Sequence, residues 1–383
     1  MRICFVAHLN DLSGANRSLI DLIKVLKKLD HYILVICPRK GELSNKLEEI
    51  GIDYKVIHSG TWVGDKIKES IFKKYFKIFL NIIAEWRYYF FFKNNDLNIE
   101  IVHFNSFVYG CGAESLSKLN IPYVWHIREF PEDTFNLSFY DKEKSYNLIK
   151  GSETIIAISQ AIYSRFKENF GSKMKLIYNG INSEDINIEY SENNENDNNV
   201  LMVGAVARDK GQLEAVKGIN EILQTKKNIE IKLHLVGEII DDNYYKEIKE
   251  FINNNKINDN IIFHGYHSNL NKFRKQSEIV LVCSKFEAFG RVTVEAMLSK
   301  QLVIGANTGG TTEIIDDFNT GLLYKQGDYI DLSKKIEYAL NNKKETKKMI
   351  DNAYEIANKE FIIEKTAKKI DETYTQIRRQ RNA

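Results

Sequence analysis

Cysteine is scarce. Cys4, Cys37, Cys111 and Cys283 are the only four in 383 residues, and they stand far apart. Such spacing excludes a disulfide or zinc framework and fits buried thiols in a reducing compartment. No apolar run reaches 18 residues, so no membrane-spanning helix is expected. The opening Met1-Arg2-Ile3-Cys4-Phe5-Val6 is too short and too soon interrupted to read as a signal peptide. A cytoplasmic protein is therefore expected. The formal net charge is only +2, which argues against nucleic acid as a partner. No Asp-x-Asp motif stands at a strand end, and His264 and His267 lack a cysteine or carboxylate at ligand spacing. No metal or other cofactor is expected. A nucleotide-triphosphate loop is also excluded, because no lysine is followed by a hydroxyl residue in the glycine loops.

What is present is length and alternation. A chain of 383 residues exceeds what one hydrophobic core usually organises, so two domains are expected. Apolar strand-like runs at residues 2–7, 31–37, 54–57, 101–104, 123–127 and 154–158 alternate with helical periodicity, as at Leu19, Ile20, Leu22, Ile23, Leu26 and Leu29. This is the pattern of a doubly wound parallel sheet. It weakens over the polar, asparagine-rich residues 183–199, the expected connection. A second alternation follows, with strands at 200–206, 231–236, 261–263, 279–282 and 302–304. The expected domains are 1–184 and 200–360, with a basic C-terminal helix in 361–383. Ligands of such sheets bind beyond the carboxyl ends of the strands.

The chemistry concentrates in residues 284–297, Ser-Lys-Phe-Glu-Ala-Phe-Gly-Arg-Val-Thr-Val-Glu-Ala-Met. This reads as a loop running into a helix. Gly290, after Phe289, lets the backbone approach a ligand. The unpaired N–H groups of the next turn suit a diphosphate. Glu295 falls about one turn into the helix, where a carboxylate can take a ribose diol. Glu287 lies on the loop side, facing whatever the diphosphate carries. Upstream, Val203-Gly204-Ala205-Val206-Ala207-Arg208-Asp209-Lys210-Gly211 ends a strand and opens a helix. Lys210 is a natural diphosphate partner there, with Arg208 a second candidate.

These residues resemble family 4 retaining glycosyltransferases: a glutamate, seven residues, a glutamate, a strand, then the Gly309-Gly310-Thr311-Thr312-Glu313 loop. Lys210 matches the family's lysine, while Ala205 stands where the family usually has arginine. Ser13-Gly14-Ala15 resembles its Gly-Gly-Ala loop, placing Gly14 beneath the donor diphosphate. His126 matches its sugar-contacting histidine, beside Arg128 and Glu129 as acceptor contacts. The resemblance implies the α/β GT-B fold, two Rossmann-like domains facing each other across a cleft. The first domain would hold the acceptor, the second the donor, and the terminal helix would cross back to the first. It implies transfer of a sugar from a UDP- or GDP-linked donor to a glycan or lipid-linked acceptor, with Glu287 and His126 catalytic and no metal required. A nucleotide-sugar 2-epimerase, another GT-B enzyme, or a non-catalytic sugar-nucleotide binder is the alternative.

Residues 67–93 mix lysines with aromatics at helical spacing. Such a helix lies on an anionic membrane surface, or packs on the sheet with its lysines in water. Both hold if each face does one. A peripheral position at the inner face of the cell membrane follows from the first reading.

Overall fold

A computed structural model describes residues 1–67, 69–94, 96–132, 136–186, 198–226 and 229–383. Most of the expected connection, residues 187–197, lies outside the described residues. The chain divides into two compact units, Met1–Gly180 with Ile363–Ala383, and Ile181–Ile362.

The first unit carries a seven-stranded sheet in the order β3-β2-β1-β5-β6-β8-β9. Its strands are β1 (Arg2–Val6), β2 (Tyr32–Cys37), β3 (Asp53–Val56), β5 (Ile101–Phe104), β6 (Tyr123–Ile127), β8 (Thr154–Ala157) and β9 (Met174–Leu176). Every pairing in it is parallel. Parallel strands covered on both faces read as continuous apolar runs, and β5, β6 and β8 are buried along their whole length. A separate antiparallel pair, β4 (Val63–Asp65) with β7 (Leu137–Phe139), stands apart from this sheet. The terminal helix Ile363–Asn382 sets Ile363, Ala367, Ile370, Tyr374 and Ile377 into the same core as Leu19, Ile23 and Leu26 of the helix Gly14–Lys28.

The second unit carries a six-stranded parallel sheet in the order β12-β11-β10-β13-β14-β15. These are β10 (Asn198–Val203), β11 (Ile231–Val236), β12 (Ile261–Gly265), β13 (Ile279–Val282), β14 (Leu302–Ala306) and β15 (Leu322–Tyr324). Helix starts are fixed by side-chain caps. Asp241 accepts from the Tyr244 amide at 3.0 Å, and Asp328 from the Asp331 amide at 3.0 Å, each stabilising its helix by about 1 kcal/mol.

In both sheets the strand order reverses once, between β1 and β5 and between β10 and β13. The loops leaving these strands diverge there and open a crevice. All four cysteines are buried and free. Burial pushes the Cys37 and Cys283 thiols up to about 12, so they are inert packing groups. Among the described residues no helix is long and apolar enough to cross a membrane.

Candidate active site

In the second unit the loops after β10 and β13 meet at the switch point. Lys285 N–H donates to Asp209 O at 2.8 Å, tying the loops together. Lys210 Nζ lies 2.9 Å from Glu287 Oε1, and Ser284 Oγ donates to the same oxygen at 2.7 Å. Burial pulls the Lys210 ammonium down, but Glu287 beside it outweighs this and holds it above the ordinary lysine value. Lys210 thus stands charged, and the pair is partly open to solvent. The Gly309-Gly310 loop lies against it. Gly309 has φ +52, and a Cβ there would stand 2.6 Å from Glu287 O, while Gly310 N–H donates to Glu287 O at 2.8 Å. Those glycines let backbone pack on backbone and so aim Glu287.

Gly290, at φ +102, begins the helix Arg291–Leu298, and no side chain caps it. Its first-turn amides are at the positive end of the helix. Glu295 is held by two arginines: Arg274 Nη2 at 2.8 Å from Oε2 and Arg291 Nη2 at 3.4 Å from Oε1. Arg291 was findable as an i,i+4 partner. Arg274, 21 residues away and only 9% exposed, had no local signal. Ser284 was likewise missed, being an ordinary strand-end serine in sequence.

Two expected donor residues behave otherwise. Arg208 turns to the helix Asp242–Asn255, with Nη2 at 2.6 Å from Glu247 Oε2 and its guanidinium over the Tyr244 ring at 5.1 Å. It is not a partner of the Lys210–Glu287 pair. The Phe289 side chain is buried, 5.8 Å from the Phe361 ring, which leaves only its backbone for a ligand. Among the described residues no group of three or more His, Cys, Asp or Glu could hold a metal.

In the first unit Gly14 is the exposed first residue of the helix Gly14–Lys28, whose start likewise has no side-chain cap. His126 sits at the end of β6, fully buried. Its Nδ1 lies 3.1 Å from His103 Nε2 and 3.2 Å from Arg128 Nη2. Arginine has only donors, so Nδ1 must accept and the proton sits on Nε2. His103 then donates from Nε2 and accepts from Tyr374 OH at Nδ1, at 2.5 Å. His126 Nε2 is buried with no hydrogen-bond partner. It is a spare donor fixed by the network behind it. Burial, then Arg128, then His103 push the His126 pKa well below the ordinary histidine range, so the ring is neutral.

Of the expected acceptor contacts, Arg128 is engaged within the unit, and Glu129 is half-buried with one carboxylate oxygen engaged. Arg128 is buried, donating to Asn105 Oδ1 at 2.8 Å and Asn179 Oδ1 at 2.9 Å. Glu129 accepts from the Phe107 amide at 2.7 Å and the Ser106 hydroxyl, which fixes the loop after β5. The buried asparagines that claim Arg128 come from distant segments.

Residues 12–185 match the family described as Glycosyltransferase Family 4, and residues 183–356 that described as Glycosyl transferases group 1. An uncharacterized glycosyltransferase of Methanocaldococcus jannaschii is 28% identical over 282 residues, 73% of this chain and 76% of that one. A Campylobacter jejuni alpha-1,4-N-acetyl-D-galactosaminyltransferase, named for a diNAcBac-PP-undecaprenol-linked glycan, is 23% identical over 92% of each chain. Anabaena HepE, solved with UDP and glucose, superposes with a TM-score of 0.79 at 22% identity, over 98% of this chain and 100% of that one. With the two family matches meeting near residue 184 and together spanning residues 12–356, the chain belongs to the family 4 glycosyltransferases and has their GT-B fold.

Proposed function

We propose that the chain moves a sugar, with retention, from a nucleoside-diphosphate sugar to a hydroxyl of a lipid-linked or polysaccharide glycan. The observation that carries this reading is the Lys210–Glu287 pair at 2.9 Å, standing at the β10–β13 switch beside an uncapped helix start. The second unit holds the donor. Lys210 and the first-turn amides of Arg291–Leu298 take the diphosphate, so no metal ion is required to neutralise it. Glu295 takes the ribose. Glu287 faces the sugar, and His126 donates from Nε2 to a sugar oxygen. The bond from the anomeric carbon to the diphosphate breaks, and the bond to the acceptor oxygen forms on the same face. The leaving diphosphate takes the acceptor's proton, and the protein supplies positioning and charge.

The Anabaena neighbour was solved with UDP, with UDP and glucose, and with UDP-glucose, which favours a uridine donor. The Campylobacter relative's undecaprenol-linked glycan and the Staphylococcus aureus relative's role in capsular polysaccharide biosynthesis favour the acceptor class. A cytoplasmic enzyme resting on the inner face of the cell membrane would meet such an acceptor. The helix Ile71–Asn94 supports that placement. Ala84, Tyr88 and Phe92 pack inward, while Phe72, Phe76, Phe79, Trp86 and Phe90 stand exposed along the opposite stripe. The test is incubation with radiolabelled UDP-sugars, with and without glycan acceptors. Acceptor-dependent product supports transfer, and epimerised nucleotide sugar in the absence of acceptor would sink it.

A further inference from the structure

An Asn-Gly pair ordinarily marks a surface turn. Asn179, followed by Gly180, is nevertheless buried, and so is Asn105, the first residue after β5. A buried amide needs its oxygen met by a donor and its nitrogen by an acceptor. Both asparagines turn their oxygens to Arg128, the first residue after β6. Arg128 Nε donates to Asn105 Oδ1 at 2.8 Å, and Nη1 donates to Asn179 Oδ1 at 2.9 Å. Arginine has donors only, so these ends must be oxygens and the amide nitrogens lie on the far side.

There the nitrogens find acceptors on one element. Asn105 Nδ2 donates to Ala15 O at 3.2 Å, and Asn179 Nδ2 donates to Ser18 Oγ at 2.9 Å. Ser18 Oγ in turn donates to Gly14 O at 3.0 Å. Gly14, Ala15 and Ser18 all belong to the start of the helix Gly14–Lys28, so both amides are anchored on a rigid body. Leucine, of the same branched shape, could not accept from Arg128 at either position. Aspartate at 105 could not donate to Ala15 O.

The guanidinium is a planar fork. With Nε and Nη1 seated on two fixed oxygens, the plane cannot swing, and Nη2 is held 3.2 Å from His126 Nδ1. We propose that Asn105 and Asn179 are positioning residues for His126: by seating Arg128 they fix the donor that keeps Nδ1 bare and the proton on Nε2. The inference rests on the role of His126 proposed above. It adds the residues that set that histidine, one of them 51 positions from Arg128 in the chain.

Two readouts test it. With saturating donor and acceptor, Asn105→Leu and Asn179→Leu should each lower kcat about threefold to tenfold, as expected for weakening one hydrogen bond. In an Arg128→Met background, which already lacks the donor to His126, neither change should lower kcat further. Losses that multiply in that background would overturn the proposal, because the asparagines would then act by another route. Ser152 supplies a control: it is buried before β8, and its Oγ donates to Ile149 O at 2.7 Å. Ser152→Ala should lower the melting temperature and leave kcat unchanged. A kcat loss there equal to that of the leucine variants would reduce their effect to lost stability and also overturn the proposal.

The second readout needs no transfer. In protein labelled with ¹⁵N-histidine, a bare ring nitrogen resonates according to the hydrogen bond it accepts, and His126→Gln assigns the signal. The His126 Nδ1 resonance should move in either leucine variant in the same direction as in Arg128→Met. An unmoved resonance in both overturns the proposal even if kcat falls. A chain that moved no sugar, yet showed these shifts, would remove the proposed transfer and leave the asparagines as the residues that set His126.

Discussion

Arg128 Nη2 reaches His126 Nδ1 over 3.2 Å and so decides which nitrogen of a buried histidine carries its proton. Removing that donor should loosen the tautomer without emptying the site. Arg128→Met is expected to lower kcat about tenfold to a hundredfold, the cost of one charged hydrogen bond at about 1.5–3 kcal/mol. Affinity for free UDP should stay unchanged, because the proposed nucleotide partners Lys210 and Glu295 lie in the second unit. His126→Ala should show the same split, more severely. A variant of either residue that turned over at the wild-type rate with saturating acceptor would remove His126 from catalysis.

The same network makes a pH prediction. Burial and Arg128 push His103 and His126 well below the ordinary histidine value, while the unfolded chain titrates near 6.5. Below that pH the unfolded state binds protons that the folded state refuses. Stability is therefore complete above about pH 6.5 and falls as pH drops below it, by up to about 1.4 kcal/mol per pH unit for each histidine. Urea unfolding between pH 7.5 and 5 reads the slope. A His103→Gln/His126→Gln variant should flatten it, and an equal slope in that variant would place the titration elsewhere.

Glu295 couples binding to stability in a way its expected role alone does not. Glu295→Gln should weaken UDP and UDP-sugar together, since both carry the ribose, by about 1.5–3 kcal/mol. It should also lower the melting temperature, because Arg274, 9% exposed, loses its counter-charge at 2.8 Å. Calorimetric titration and thermal unfolding separate the two effects. Unchanged affinity with lowered stability would make Glu295 a purely internal partner of its arginines.

These cases show where the sequence was legible. Strands such as Ile279–Val282 are buried on both faces, so an unbroken apolar run suffices to find them. Met174–Leu176, Leu322–Tyr324 and the Val63–Asp65/Leu137–Phe139 pair have three residues each, too few for any period to register. Lys210 and Glu287 could be read because each lies in a loop that leaves a strand and enters a helix, and both strands flank the switch. Arg274, a partner of Glu295, and Asn179, a partner of Arg128, come from segments 21 and 51 residues off. Only the fold brings them in, which is why Arg128 resembles a ligand contact in the chain and is an internal support in the structure.

Lys210→Ala should damage binding of anything carrying a diphosphate, UDP and UDP-sugar alike, by about tenfold to a hundredfold. Uridine alone should bind as before. If Lys210 and the helix start take the place of a cation, as proposed, transfer should persist in excess EDTA. Loss of activity on chelation, restored by Mg²⁺ or Mn²⁺, would show that a metal shares the diphosphate.

The outer stripe of the helix Ile71–Asn94 predicts membrane docking. Phe72 is 87% exposed and Phe76 62%, and Lys73, Arg87 and Lys93 are exposed on the same helix. Each such cation contributes about 1 kcal/mol beside an anionic leaflet, and buried aromatics add to this. Lys77 is a poor choice for charge reversal, since its ammonium lies 2.6 Å from Glu69 and reversal would set two carboxylates together. Lys73→Gln/Arg87→Gln/Lys93→Gln should instead weaken co-sedimentation with anionic vesicles about tenfold or more and reduce its sensitivity to salt. Phe72→Ser/Phe76→Ser/Phe79→Ser should remove binding to anionic and neutral vesicles alike. Both variants should keep wild-type UDP affinity, because their changes lie outside the nucleotide site. Sedimentation indifferent to lipid charge and to both variants would exclude this face as the docking surface. Concentration-dependent dimerisation abolished by the phenylalanine changes would show that a second copy of the chain covers it instead.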